Sequence, residues 1–176
     1  MSKEVVKCKL LKEKVITEKS EAAKALFDNS CYGTFKDEKV YLSLPEAMYL
    51  LERDRIEILD SKNKPISKEN FEKKASRVQK NFATRYSVFK DLRDRGYIVK
   101  TALKFGADFR VYDRGIKPGQ DHAKWVVFPV HETSSFTWHE FSAKNRVAHS
   151  TKKRLLLGIV DDELDVTYYE IAWKRP

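Results

Sequence analysis

The chain has 176 residues, 41% of them hydrophobic and 12% aromatic, enough for one domain or two small ones with packed cores. A formal net charge of +9 favours a polyanionic partner through Coulomb attraction and counterion release. No apolar leader follows Met1, every apolar run is far shorter than the roughly 20 residues of a membrane helix, and two cysteines build neither a disulfide framework nor a zinc site. A cytoplasmic protein with Cys8 and Cys31 as buried thiols is expected, with no membrane contact.

Residues 5–16 alternate as a strand or hairpin would. Ser20 is an N-cap for a helix through Ala22, Ala23, Leu26 and Phe27. Asn29 to Gly33 reads as a turn and Val40 to Leu42 as a short strand. Pro45 suits the first turn of a helix that continues through Leu51. Ile56 to Leu59 is another strand, and Ser67 caps a charged helix containing Phe71 and Val78.

No Gly/Pro linker marks a boundary near residues 78–84, so near-continuous helix is expected between an N-terminal domain, 1–80, and a C-terminal domain, 81–176. Phe82, Tyr86, Phe89 and Leu92 form one amphipathic helical face, stopped by Gly96. Beyond it, Tyr97–Leu103, Phe109–Tyr112, Trp125–Val130, Arg154–Val160 and Val166–Trp173 read as strands. Thr137 and Glu140 make a capping box for a helix to about Val147. The fold class is α+β: a small α/β domain, then a mixed sheet of about five strands with two helices.

Three residues in the second half suit chemistry on RNA. Tyr112 ends a strand just before Asp113-Arg114-Gly115. His122 lies between a Gly/Pro-rich loop and the strand from Trp125. Lys153 falls in His149-Ser150-Thr151-Lys152-Lys153-Arg154. A phenol, an imidazole and an ammonium can cleave RNA without a metal. One removes the 2′-OH proton, one protonates the leaving 5′-oxygen, and one stabilises charge at phosphorus. If the Lys152-Lys153 pair is in a strand, only one of the two faces the site.

At these residues the chain resembles the archaeal tRNA-splicing endonucleases of the homotetrameric type. The likeness runs through Arg110-Val111-Tyr112, the loop to His122, Arg146-Val147-Ala148-His149-Ser150 into Lys153, the acidic turn Asp161 to Asp165, and Tyr168 to Trp173. It covers residues from about 85 onward with high specificity. The first 80 residues resemble the family's N-terminal domain in size and arrangement.

The resemblance implies an RNA-cleaving lyase of precursor-tRNA introns at bulge–helix–bulge motifs. It implies 2′,3′-cyclic phosphate and 5′-OH ends and no cofactor or metal. It makes Tyr112 the general base, His122 the general acid and Lys153, rather than Lys152, the charge stabiliser. Arg146 and Trp173 would grip a flipped bulge base from its two faces. Asp161, Asp162 or Asp165 would dock into a basic groove of another subunit.

Two other readings compete. A non-catalytic RNA-binding or structural subunit would keep the fold and lose the triad, whereas all three residue types are present here. A metal-dependent nuclease needs an acid-x-Lys signature on adjacent strands. Asp37-Glu38-Lys39 and Glu72-Lys73-Lys74 match it, but on a predicted turn and helix. His131, His139 and His149 have no metal-ligand spacing and read as structural or RNA-contacting.

Overall fold

A computed structural model describes residues 4–176. The chain forms two compact units, residues 1–82 and 83–176.

The first unit holds β1 (Val6–Leu10), β2 (Lys14–Thr17), α1 (Glu21–Asp28), β3 (Thr34–Lys36), β4 (Lys39–Ser43), α2 (Leu44–Glu52), β5 (Ile56–Leu59) and α3 (Lys68–Val78). Its sheet runs β3-β4-β2-β1-β5, with β1 and β5 parallel and every other pair antiparallel. Strand alternation sends Val6, Cys8, Val15, Thr17, Val40 and Leu42 to the face that packs against the helices, and all are buried. Ser20 and Ser67 cap their helices as expected, accepting from the amides of Ala23 and Asn70.

Glu46 carries more than its capping box. One carboxylate oxygen accepts from Ser43, while the other accepts from the Gly33 amide at 2.8 Å, closing the turn before β3. Gly33 has φ +63, and a Cβ there would lie 2.6 Å from the Tyr41 carbonyl oxygen, so only glycine fits.

Strand β3 was not expected. It pairs with β4 through Asp37 and Glu38, both at positive φ, which makes a hairpin turn without the usual Asn-Gly. The near-continuous helix at the boundary is also not found. Gln79 is extended, Asn81 adopts φ 58, and α4 (Phe82–Asp94) starts afresh.

The second unit adds β6 (Ile98–Thr101), a 3₁₀ turn (Leu103–Phe105), β7 (Phe109–Tyr112), β8 (Trp125–His131), α5 (Trp138–Ser150), β9 (Arg154–Val160) and β10 (Val166–Ile171). The sheet order is β10-β9-β8-β7-β6. Only β8 and β9 are parallel, joined by the α5 crossover. The expected mixed five-stranded sheet with two helices is observed.

Helix α4 packs one face. Phe89 meets Phe109 at 5.8 Å, and Gly158 lets Val88 approach where a Cβ would stand 2.9 Å from it. Helix α5 covers the other face, placing Ala148 with Val126, Phe128, Leu155 and Leu157, flanked by Phe141 and Val147. Among the described residues, no helix is long and apolar enough to cross a membrane.

Candidate active site

Register builds the site. Val111 pairs with Trp125, and Trp125 with Arg154, across β7, β8 and β9. One step beyond that row come Tyr112, Lys124 and Lys153. Lateral neighbours in a sheet share a face, and two strand spacings amount to about 10 Å. Tyr112 and Lys153 therefore rise from the same end and side of the sheet, the side covered by α5.

Helix α5 runs three residues beyond its expected end at Val147, to Ser150, and closes with a Schellman cap. The Lys153 amide donates to Ala148 and the Lys152 amide to His149, with Lys152 at φ 54. This corrects the strand argument for the lysine pair. Neither residue is in a strand. Lys152 is the exposed left-handed cap residue, while Lys153 is half-buried and enters β9.

The Lys153 ammonium donates 2.9 Å to the carbonyl of Thr151, in the last turn of α5, where cations are favoured. It also lies 5.5 Å from the centre of the Phe105 ring. Burial, and then the charge of Arg110, lower its pKa from the ordinary lysine value.

Arg110 is a site residue that sequence reasoning missed. It sits two before Tyr112 on β7, so alternation puts both on one face, and that was the available signal. Its guanidinium lies 5.9 Å from the rings of both Phe105 and Tyr112, and its Nε is buried without an acceptor.

Tyr112 itself is buried, yet its hydroxyl makes no hydrogen bond among the described residues and is not a buried unpartnered atom, so solvent reaches it. Tyr168 is a contrast. Its hydroxyl donates 2.8 Å to Asp91, and burial and that bond push its pKa far up.

His122 stands apart on the loop between β7 and β8. It is exposed, and its ring engages no side chain among the described residues. The loop has its own frame. Gly115 and Gly119 turn it at positive φ, and the His122 amide donates to the Asp121 carboxylate. Lys124 and Asp113 join its ends at 2.9 Å, a second pair that sequence reasoning missed. The Lys124 hydrogen bond, with the Arg114 amide behind it, holds the Asp113 carboxyl below its usual range.

Arg146 and His149 are one turn apart on the same side of α5. The Trp173 ring meets His149 edge-on at 4.6 Å and is 54% exposed, so it is no core anchor. A cleft of about 180 Å³ is lined by Asn145, His149, Lys153 and Trp173 among others. Lys153 therefore borders both the Tyr112 group and the Trp173 group.

The three aspartates of the turn after β9 differ in their surroundings. Asp161 accepts from the amides of Glu163 and Asp165 and so builds the turn. Asp162 stands 3.3 Å from His131. Asp165 is exposed, beside Leu164 at φ 68.

Family models match both units. The catalytic C-terminal domain of tRNA intron endonuclease matches residues 82–168, and its N-terminal domain matches residues 6–72. The chain belongs to the tRNA intron endonuclease family. This endonuclease is 40% identical over 173 residues to the tRNA-splicing endonuclease of Thermococcus onnurineus, covering 98% of this chain and 99% of the relative. It is 48% identical over 141 residues to that of Nanoarchaeum equitans, covering 77% and 90%. It is 39% identical over 167 residues to that of Methanothermobacter thermautotrophicus, covering 94% and 96%.

Proposed function

We propose that this endonuclease excises introns from precursor tRNA by metal-independent transesterification, using Tyr112, His122 and Lys153. The observation that supports the reading is the strand register, by which Tyr112 and Lys153 lie at one end and on one face of the sheet, with Arg110 near the Tyr112 ring and both cations near the Phe105 ring.

In this mechanism Tyr112, acting as its phenolate, takes the proton of the 2′-OH next to the scissile phosphate. The 2′-oxygen bonds to phosphorus as the P–O5′ bond breaks. His122 gives its proton to the departing 5′-oxygen, leaving a 2′,3′-cyclic phosphate and a 5′-OH. Lys153 pairs with the non-bridging oxygens as charge builds. Arg110, with a buried donor unmet, adds a second cation there.

Arg146 and Trp173 would hold an unstacked bulge base between a guanidinium plane and an indole. Arg146 lies one turn from His149 on α5, and Trp173 packs on His149, which supports that role. Assembly as a homotetramer would use the turn Asp161–Asp165, with Asp162 and Asp165 facing outward and Asp161 shaping the turn.

The test is incubation with an intron-bearing precursor tRNA in excess chelator, followed by end-group analysis. Cyclic phosphate ends at both bulges are expected. A 3′-OH product, or activity lost in chelator, would overturn the mechanism.

A further inference from the structure

The N-terminal sheet has one face packed on helices and one face open. On the open face alternation places Lys7 and Lys9 of β1, Lys14 and Ile16 of β2, Lys36 of β3, and Lys39 and Tyr41 of β4. Four of the five lysines are exposed and Lys39 is half-buried. None makes an ion pair among the described residues. The carboxylates on this face are Glu18 and Glu57, and neither lies within ion-pair distance of a lysine there.

The arrangement works against the fold's own stability. Lys36 and Lys39 are directly opposed across β3 and β4. Like charges so paired are destabilising, and neither lysine makes an ion pair among the described residues. Tyr41 and Ile16 are cross-strand partners in the middle of the face, and Lys9 continues that row. A groove of about 350 Å³ opens here, lined by Lys7, Lys9, Ile16, Glu18, Lys39 and Leu59 among others.

Lysines without ion-pair partners, three of them lining this groove and two beside it on the same face, suit the regularly spaced phosphates of a folded RNA. Duplex RNA is bound mostly through its shape, phosphates and 2′-hydroxyls, and lysine serves as a point charge for phosphate. We infer that this face is a second RNA-contact surface, taking the sugar–phosphate backbone of the folded tRNA body while the C-terminal unit acts at the intron junctions. The inference rests on precursor tRNA being the substrate.

The test compares the wild-type chain with a variant carrying Gln at positions 7, 9, 14, 36 and 39. Single-turnover cleavage is measured on a whole precursor tRNA and on a short hairpin bearing only the two bulges. The expected result is roughly 10- to 100-fold weaker half-saturation by precursor at physiological salt, with the slope of log affinity against log salt reduced by about 2–4. The preference for precursor over hairpin should collapse by a similar factor. The pair Lys36→Gln/Lys39→Gln, which relieves a repulsion, keeps the test open if the fivefold variant folds poorly. It should melt no lower than wild type and still bind precursor more weakly.

Unchanged half-saturation by precursor, or an equal loss on the hairpin, would overturn the inference. So would a change in mass by light scattering, which would make the face a contact between copies. If the wild-type chain cuts neither RNA, the proposed function fails instead. Binding of mature tRNA by wild type and variant then still reads out the face.

Discussion

The Lys124 ammonium lies 2.9 Å from the Asp113 carboxylate, and these two residues begin and end the stretch that carries His122. An exposed loop thus has a clasp at its base. Asp113→Asn should slow single-turnover cleavage by roughly tenfold by letting His122 wander, since small misplacements of a catalytic group are costly. Half-saturation and melting temperature should stay near wild type. A large drop in melting temperature would mean that the clasp serves the fold.

The Schellman cap separates two adjacent lysines by role. Lys153→Ala and His122→Ala should each lower the cleavage rate by roughly 10²–10⁴ with RNA binding little changed. Lys152→Gly should cleave normally and melt higher, because glycine accepts φ 54 at a cap without the cost a side chain brings, roughly 0.5–1 kcal/mol. Greater damage from Lys152→Ala than from Lys153→Ala would reverse the assignment.

Burial and Arg110 both lower the pKa of Lys153. An ammonium with a lowered pKa loses its proton at lower pH than a free lysine, so it bounds cleavage on the alkaline side. Arg110→Gln removes the second cause and leaves burial. The alkaline limb of the single-turnover pH profile should therefore move upward. An unmoved limb, or one displaced downward, would remove Lys153 from the role of required cation.

Glu170 ties three strands. It accepts from Trp125 Nε1 at 2.7 Å on β8 and from Arg154 at 2.8 Å on β9, and these bonds hold its pKa below the ordinary 4.5. A depressed carboxyl contributes stability above its unfolded value, and that contribution is lost as pH falls through the folded value. Glu170→Gln should lower the melting temperature at pH 7 and make little difference near pH 3. An equal effect at both pH values would show that the charge is not what matters.

The acids after β9 should fail in different ways. Asp161→Ala removes the acceptor of two turn amides and should disorder the turn. Asp162→Lys with Asp165→Lys should leave the turn intact and weaken assembly and cleavage together. Hydrogen exchange reads the first effect and light scattering the second. An unchanged mass in the double variant would reject the turn as an assembly contact.

Caps and periodic faces were legible in the sequence because their signals are local. Ser20, Ser67 and the Thr137–Glu140 box each satisfy amides within three residues. The face of α4 is likewise written in Phe82, Tyr86, Phe89 and Leu92, all buried. What escaped depended on partners distant in sequence or on unusual backbone. Strand β3 turns through Asp37-Glu38, whose left-handed geometry no glycine announces. The Asp113–Lys124 pair became visible only when the loop closure placed it, whereas alternation from Tyr112 along one strand could have pointed to Arg110. The lysine pair was read on strand alternation, yet a helix cap separates the two residues.

Strand β9 is seven residues long, begins just after Lys153 and ends at Val160, just before Asp161. At about 3.3 Å per residue it is a rod of roughly 23 Å, held by β8 on one side and β10 on the other. Its length therefore works as a ruler between Lys153 and the acidic turn after the strand. Insertions can accumulate in the loop after β8 at little cost to the sheet. One residue added to β9 would turn every later side chain to the opposite face. The distance from Lys153 to the acidic turn is thus the dimension of this protein least free to drift.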